Sequence, residues 1–174
     1  MRPLPAGIAL RPATGDDAEP IALILDEGIA GYASFAPDGW APPEVSADQE
    51  RALARRFDGR EAWGLLAYAG DDPVALVSLS KVVRSDVMPA PPGSGYLWHM
   101  FVRPQWQGSG LAGALLDLAL AEARERGWRR LILWAAAGQA QARRFYEREG
   151  FAPTGRTQFN AEIGLELVQY AADV

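Results

Sequence analysis

An α/β fold of the α+β, mixed-sheet type is what this sequence predicts, and three observations carry the prediction. Two apolar runs flank a tight turn in the middle of the chain. A strand then leads through a glycine-rich segment into a long amphipathic helix and another strand. The tail closes on two further strands. Hairpins combined with a single parallel crossover call for a mixed sheet with helices on both faces.

Each element has its own signal. Ile8 to Arg11 reads as a first strand, and the polar run after Pro12 turns into a helix that Thr14 or Asp16 can cap. Ile21, Ile24, Leu25 and Ile29 then recur at helical spacing. A second helix is predicted from Ser46 to Phe57, with Ser46 and Gln49 forming a capping box. Trp63 to Ala69 and Val74 to Val83 are antiparallel strands about the turn at Gly70 to Pro73. Prolines and glycines in 84–95 demand an irregular loop. Tyr96 to Val102 is a strand, and a helix from about Gly108 to Arg126 carries an apolar stripe of Leu111, Ala112, Leu115, Leu116, Ala119 and Ala123, with Gly127 as its stop. Leu131 to Ala135 is a short buried strand, 139–149 a helix, and Phe151 to Tyr170 holds the last two strands.

The 174 residues fit one domain, expected to span 1–174, with no internal repeat or linker. Seventeen basic against 22 acidic residues leave a net charge of −5, which disfavours nucleic acid and anionic membrane surfaces as partners. The absence of cysteine excludes disulfides, thiolate metal sites and a cysteine nucleophile, and agrees with a cytoplasmic location. No stretch approaches the ~20 apolar residues of a membrane span.

The chemistry concentrates between Phe101 and Leu116. A strand ends at Val102, Pro104 blocks its extension, and glycines open a helix whose first N–H groups lack intrahelical partners. Those donors and the helix dipole form a cradle for a pyrophosphate, with Gly108 and Gly110 permitting close approach. Gly108 to Gly113 is formally a G-x-G-x-x-G, so a nicotinamide dinucleotide is one candidate. Its context argues against that: the turn is too long, and no ribose-binding carboxylate stands about 20 residues on, where Leu131 to Trp134 lie.

Gln107, Gly110 and Ala112 resemble the acetyl-CoA signature of the GNAT superfamily, (Arg/Gln)-x-x-Gly-x-(Gly/Ala). Met100 to Pro104 is similar to the end of that family's fourth strand. The run from Gln139 through Ala142, Phe145, Tyr146, Glu147, Gly150 and Phe151 resembles its second signature, with Gln139 in place of the usual Asn. The resemblance implies a single N-acetyltransferase domain. Its central sheet has about seven mostly antiparallel strands flanked by helices, with a splay between the fourth and fifth.

It further implies acetyl-CoA as cosubstrate, a small-molecule or peptide amine as acceptor, and a homodimer paired through sheets. The alternative is an acyl-CoA-binding sensor module without turnover. Backbone groups of Met100, Phe101 and Val102 would meet the pantetheine arm. Gln107, Gly108, Ser109, Gly110, Leu111, Ala112 and Gly113 would surround the pyrophosphate, and Gln139 would bond the pantetheine. Arg143 would meet the 3′-phosphate or remain a solvated charge. Tyr146 would protonate the departing thiolate; otherwise it is a core tyrosine.

The fourth strand carries no ordinary base on the face assigned by alternation to Tyr96, Trp98 and Met100. His99 is the single histidine, turned by the same alternation toward Leu97 and Phe101, either as a core residue or as the base. Trp134 stands where some relatives carry Glu, and Glu166 is a more distant carboxylate. Trp40, Tyr96 and Trp98 are the candidates for an aromatic acceptor pocket. The acidic balance of the chain points to a cationic acceptor such as a polyamine or aminoglycoside.

Overall fold

A computed structural model describes residues 1–59, 62–81 and 91–174. Seven strands, β1 (Ile8–Pro12), β2 (Ala62–Ala69), β3 (Asp72–Ser80), β4 (Ser94–Val102), β5 (Arg130–Ala136), β6 (Ala152–Asn160) and β7 (Leu165–Asp173), form one sheet. Four helices, α1 (Ala18–Ala30), α2 (Ala47–Ala54), α3 (Leu111–Glu125) and α4 (Ala140–Arg148), flank it. The order across the sheet is β1-β2-β3-β4-β5-β7-β6, and β4 with β5 is its parallel pair. The end of the predicted strand at residues 82–83, and 84–90 of the predicted loop, fall outside the described residues.

The helix signals hold with small shifts. Ser46 and Gln49 form the capping box: the Gln49 N–H donates to Ser46 Oγ (3.4 Å) and the Ser46 N–H to Gln49 Oε1 (2.9 Å). Neither Thr14 nor Asp16 caps α1. Asp17 stands at that position, and its carboxylate turns back to accept from Thr14 N–H (2.7 Å) and to pair with Arg11 (2.6 Å). Helix α3 begins at Leu111, three residues later than predicted. Its buried stripe includes Gly113 and Ala114, whereas Ala112 is half-buried.

One face of the sheet packs against α3 and α4, where Leu79, Leu97, Leu115, Leu131, Leu133 and Tyr170 meet. The other face is covered over β2–β4 by α1 and α2, through Ile21, Ile24, Phe57, Leu66 and Leu76. On that same side, β5 and β7 present Ile132, Trp134, Ala136, Leu167 and Ala171, roofed at one end by Tyr32, Phe35 and Trp40. Phe101 lies flush on Gly28 of α1, a contact that any Cβ at 28 would obstruct.

The N-terminal arm ties α3 to the end of α4. Arg2 pairs with Asp117 at 2.7 Å and with Glu149 at 2.9 Å, against the backbone of Gly113. The bond to Arg2 holds the Asp117 carboxyl down at about 2. A carboxyl depressed in this way adds stability above its unfolded value near 4 and loses it as the pH falls toward 2. Arg2→Gln is therefore expected to lower Tm by about 2–4 °C at pH 7, since partly exposed pairs are worth about 1 kcal/mol. The difference between variant and parent should shrink between pH 4 and pH 2 in calorimetric scans.

Candidate active site

Strands β4 and β5 pair for three residues, Ser94 with Arg130, Gly95 with Leu131 and Tyr96 with Ile132, and then part. The cause is a bulge in β4. Ser78 of β3 stands opposite His99 and Leu79 opposite Leu97, so Trp98 is an extra residue in β4. Bulges bend and twist the strand that carries them, and here the bend falls immediately after the last β4–β5 pair.

Beyond the bulge, β4 still pairs with β3, but every second residue faces the gap. Arg103 donates its N–H to Val74 O (2.9 Å), and Phe101 stands opposite Leu76 at the same parity. Met100 and Val102 therefore turn their backbone groups toward β5, where no strand meets them. The expected role of these two in binding an extended arm fits this parity. Phe101 does not fit: its backbone faces β3 and its ring packs on α1.

The bulge also corrects the faces predicted along β4. Met100 packs with Leu97 on the α3 side, while Tyr96 lies on the opposite face with Ile132. Trp98 and His99 stand side by side with ring centroids 4.3 Å apart, and His99 lies 6.4 Å from Phe101. Alternation fails because one unpaired residue resets it. Arg56, from the turn after α2, stacks on Trp98 at 3.9 Å.

At the far end of β4, Gly108 (φ +78°) and Gly110 (φ +89°) shape the loop before α3. These are conformations that side chains resist, so glycine is required at both. Gln107 donates its amide to Val102 O (3.2 Å), and Ser109 donates its hydroxyl to Trp106 O (2.6 Å). The first-turn N–H groups of Leu111, Ala112 and Gly113 lie in the dipole's positive end. Ser109 Oγ is 3.3 Å from the first of them. Arg103 clamps this corner, a role its place inside the Val-Arg-Pro run does not disclose. It holds both Glu27 oxygens at 2.8 Å and Asp72 at 2.5 Å.

Across the gap, Gln139 stands at the N-terminus of α4. Arg143 is committed to structure: it donates to Ala137 O (3.0 Å) and to Tyr170 Oη (2.9 Å), which itself donates to Glu147 (2.8 Å). Its neighbour Arg144 is exposed. Tyr146 is buried edge-on to Phe145 and Phe151, at 5.3 and 5.8 Å. Burial holds its hydroxyl well above the ordinary tyrosine range, and Tyr32 raises it further. Tyr32, packed against the Ala136, Leu165 and Leu167 cluster, has its own hydroxyl pushed up to about 12 by burial.

Trp40 donates its indole N–H to Ile163 O (2.7 Å), pinning the segment after α1 to the β6–β7 hairpin. Beside it, Phe35, Pro37, Ala136, Gly138, Phe159 and Leu165 line an apolar recess of about 350 Å³. Glu166, at its rim, is exposed.

Residues 34–151 match the acetyltransferase (GNAT) family. The chain belongs to that family. It is 32% identical over 151 residues to the mycothiol acetyltransferase of Beutenbergia cavernae, covering 87% of this chain and 47% of that protein. The chain thus spans about half the length of this curated relative. The GNAT fold recurs in an N-acetyltransferase from Staphylococcus aureus, with TM-score 0.74, 17% identity, and 97% of this chain and 99% of that one covered. It recurs in the ribosomal-protein-S18-alanine N-acetyltransferase of Escherichia coli, with TM-score 0.69, 16% identity and 96% and 94% coverage. A third neighbour is the PaiA N-acetyltransferase of Thermoplasma acidophilum in complex with coenzyme A, with TM-score 0.63, 13% identity and 96% and 99% coverage. Among the described residues, no helix is long and apolar enough to cross a membrane and no cluster of metal ligands occurs.

Two measurements check the site. Acetyl-CoA at about 100 times its Kd should stabilise the chain by about 2.7 kcal/mol, roughly 5–11 °C in Tm, with NADH ineffective. Gly110→Trp should abolish the response, measured against the variant's own baseline. The second concerns His99, whose Nδ1 lies 2.8 Å from Ser78 Oγ, with Ser78 Oγ also accepting the His99 N–H (3.2 Å). Burial, assisted by Arg56, pushes its imidazole down to about 3. Between pH 6.5 and 3 the unfolded chain takes up the proton and the folded one does not, so stability falls as pH falls. His99→Gln should flatten the stability–pH curve in that window by up to about 1.4 kcal/mol per pH unit.

Proposed function

We propose that this chain is an acetyl-CoA-dependent N-acetyltransferase that moves an acetyl group to the primary amine of a small molecule or peptide. One observation carries the reading. The gap between β4 and β5 has Met100 and Val102 backbone groups along its edge, a glycine-shaped helix start at one end, and Tyr146 across it. The gap takes an extended amide-bearing arm as an added strand, and the helix start takes a pyrophosphate. Coenzyme A carries both. Family membership and the likeness to a protein named mycothiol acetyltransferase support acetyl transfer as the reaction.

In this reading the free amine attacks the thioester carbonyl carbon, the C–S bond breaks, and the sulfur leaves as thiolate. Tyr146 supplies the proton that the thiolate takes up. A hydroxyl held well above its ordinary value keeps that proton throughout the working pH range. The protons that the acceptor nitrogen loses before and after attack pass to water, which returns one to Tyr146 and closes the cycle, because His99, at about 3, has too little basicity to draw a proton from an ammonium group.

Release of CoA from acetyl-CoA is the test, run with and without a pool of primary amines. Acceptor-dependent release supports the enzyme; acetyl-CoA binding without it supports a sensor module. Tyr146→Phe should lower kcat by about 10²–10⁴-fold while the thermal response to acetyl-CoA persists. The kcat/KM–pH profile should climb toward the acceptor amine's own pKa, with no inflection near 6.5. An inflection there that His99→Gln removes would make His99 the base.

A further inference from the structure

The sheet face that carries Trp134 continues away from Tyr146 into a polar pocket. Trp134 packs at once with Ala136, Leu167 and the Tyr32–Trp40 roof, and with the separate cluster of Tyr96, Ile132 and Ala171. At that second cluster a cavity of about 110 Å³ opens, lined by Tyr96, Arg130, Ile132, Thr154, Arg156 and Gln169. Pro91 and Ala171 complete its wall.

The pocket has features that an unoccupied sheet face does not need. Tyr96 is only 6% exposed, yet its hydroxyl has no hydrogen-bond partner among the described residues, and neither has Ser94 Oγ. A buried hydroxyl left without a partner costs about 1–3 kcal/mol, so this one is a donor that an anionic group in the pocket would satisfy.

Arginine reaches this pocket through a second bulge. β6 pairs with β7 at Pro153 and again at Thr157, so Thr154, Gly155 and Arg156 stand against Gln169 alone. Gly155 has φ +82°, the conformation that lets the strand fold out there. Thr154 Oγ1 donates to the buried Gln169 Oε1 (2.9 Å) and accepts from Arg156 N–H (3.4 Å), which fixes the bulge. Arg130 lines the opposite wall, loosely paired with the exposed Asp173 at 3.7 Å. Burial raises the Tyr96 hydroxyl, and the charge of Arg156 opposes that shift. Two guanidinium groups line this pocket, although the chain as a whole carries −5.

Resting on the acetyltransferase reading above, we infer that the acceptor amine carries an anionic group, a carboxylate or phosphate, which Tyr96, Arg130 and Arg156 hold while its amine reaches the gap beside Tyr146. Two guanidinium groups and a phenol make the donor set that suits such a group. The pocket opens at Ile132, and the gap lies two to four residues further along β5, a separation of about 7–13 Å. The acceptor is thus a bifunctional molecule and not a polyamine.

The test uses ω-amino carboxylates of about 4 to 10 carbons and n-alkylamines of matched length, a series that brackets that separation. The amino carboxylates should show kcat/KM at least about tenfold higher, with an optimum length, each tenfold corresponding to about 1.4 kcal/mol. Arg156→Gln should erase that preference through the KM of the amino carboxylates, leaving the KM for acetyl-CoA unchanged, and Tyr96→Phe should reduce it. Equal kcat/KM for both series would overturn the inference, as would an equal loss in both. Free acetate or inorganic phosphate raising alkylamine turnover to the same level would indicate a separate anion and overturn it too. If no amine is acetylated and acetyl-CoA gives no thermal shift, the acetyltransferase reading has failed. Calorimetric titration with 8-aminooctanoate still decides this one: binding lost in Arg156→Gln supports the pocket, and no binding to the parent protein overturns it.

Discussion

Two parallel strands that begin as hydrogen-bonded neighbours and then separate leave backbone donors and acceptors facing each other across empty space, and this molecule is organised around that separation. Strands β4 and β5 share three residue pairs before they part. Unpaired backbone groups inside a fold are costly unless something satisfies them. The edge at Met100 and Val102 is therefore a liability of the sheet, relieved in part by the Gln107 amide on Val102 O, and in the proposed function it is where an extended ligand pairs. The bulge at Trp98 produces the divergence, and the ion pairs of Arg103 with Glu27 and Asp72 hold the end of β4 where the bend leaves it.

Around the gap, the two sheet faces have different work. The α3–α4 side is an apolar core, to which α3 brings the glycine-shaped turn at its start and α4 the buried Tyr146 of its last turn. The other side is covered by helices only over β2–β4; over β5 and β7 it is roofed at one end by aromatic residues and lined at the other by arginines. An acidic protein can hold a basic recess because net charge sums over the whole surface, whereas a bound group feels charges within about one Debye length of ~10 Å. For the same reason, the net charge of the sequence is a poor guide to the acceptor.

Much of the site is legible in the amino-acid sequence. Glycines at 108 and 110, a proline closing β4 and an amphipathic helix behind them are local signals, and the fold keeps them with the helix start moved to Leu111. The capping box at Ser46 and Gln49 is equally local. The direction in which a side chain points is not legible in the same way. Phe101 falls within the strand end expected to face a ligand, yet its ring rests on Gly28. Arg143 is a plausible phosphate contact on a helical wheel, yet it is bonded to Ala137 and Tyr170, which no wheel reveals.

The sequence by itself determined the order and kind of the elements, the glycine turn before α3 and the presence of a tyrosine on α4, because periodicity, turn chemistry and capping act within a few residues. Only the tertiary structure decided the faces of β4, the packing of Tyr32 on β5 and β7, and the arginine-lined pocket under Tyr96. The strand features depend on register, and a bulge belongs to a pair of strands: one extra residue at Trp98 inverts the alternation that β4 alone would predict, and three residues against one at Thr154 to Arg156 fold β6 out toward the pocket.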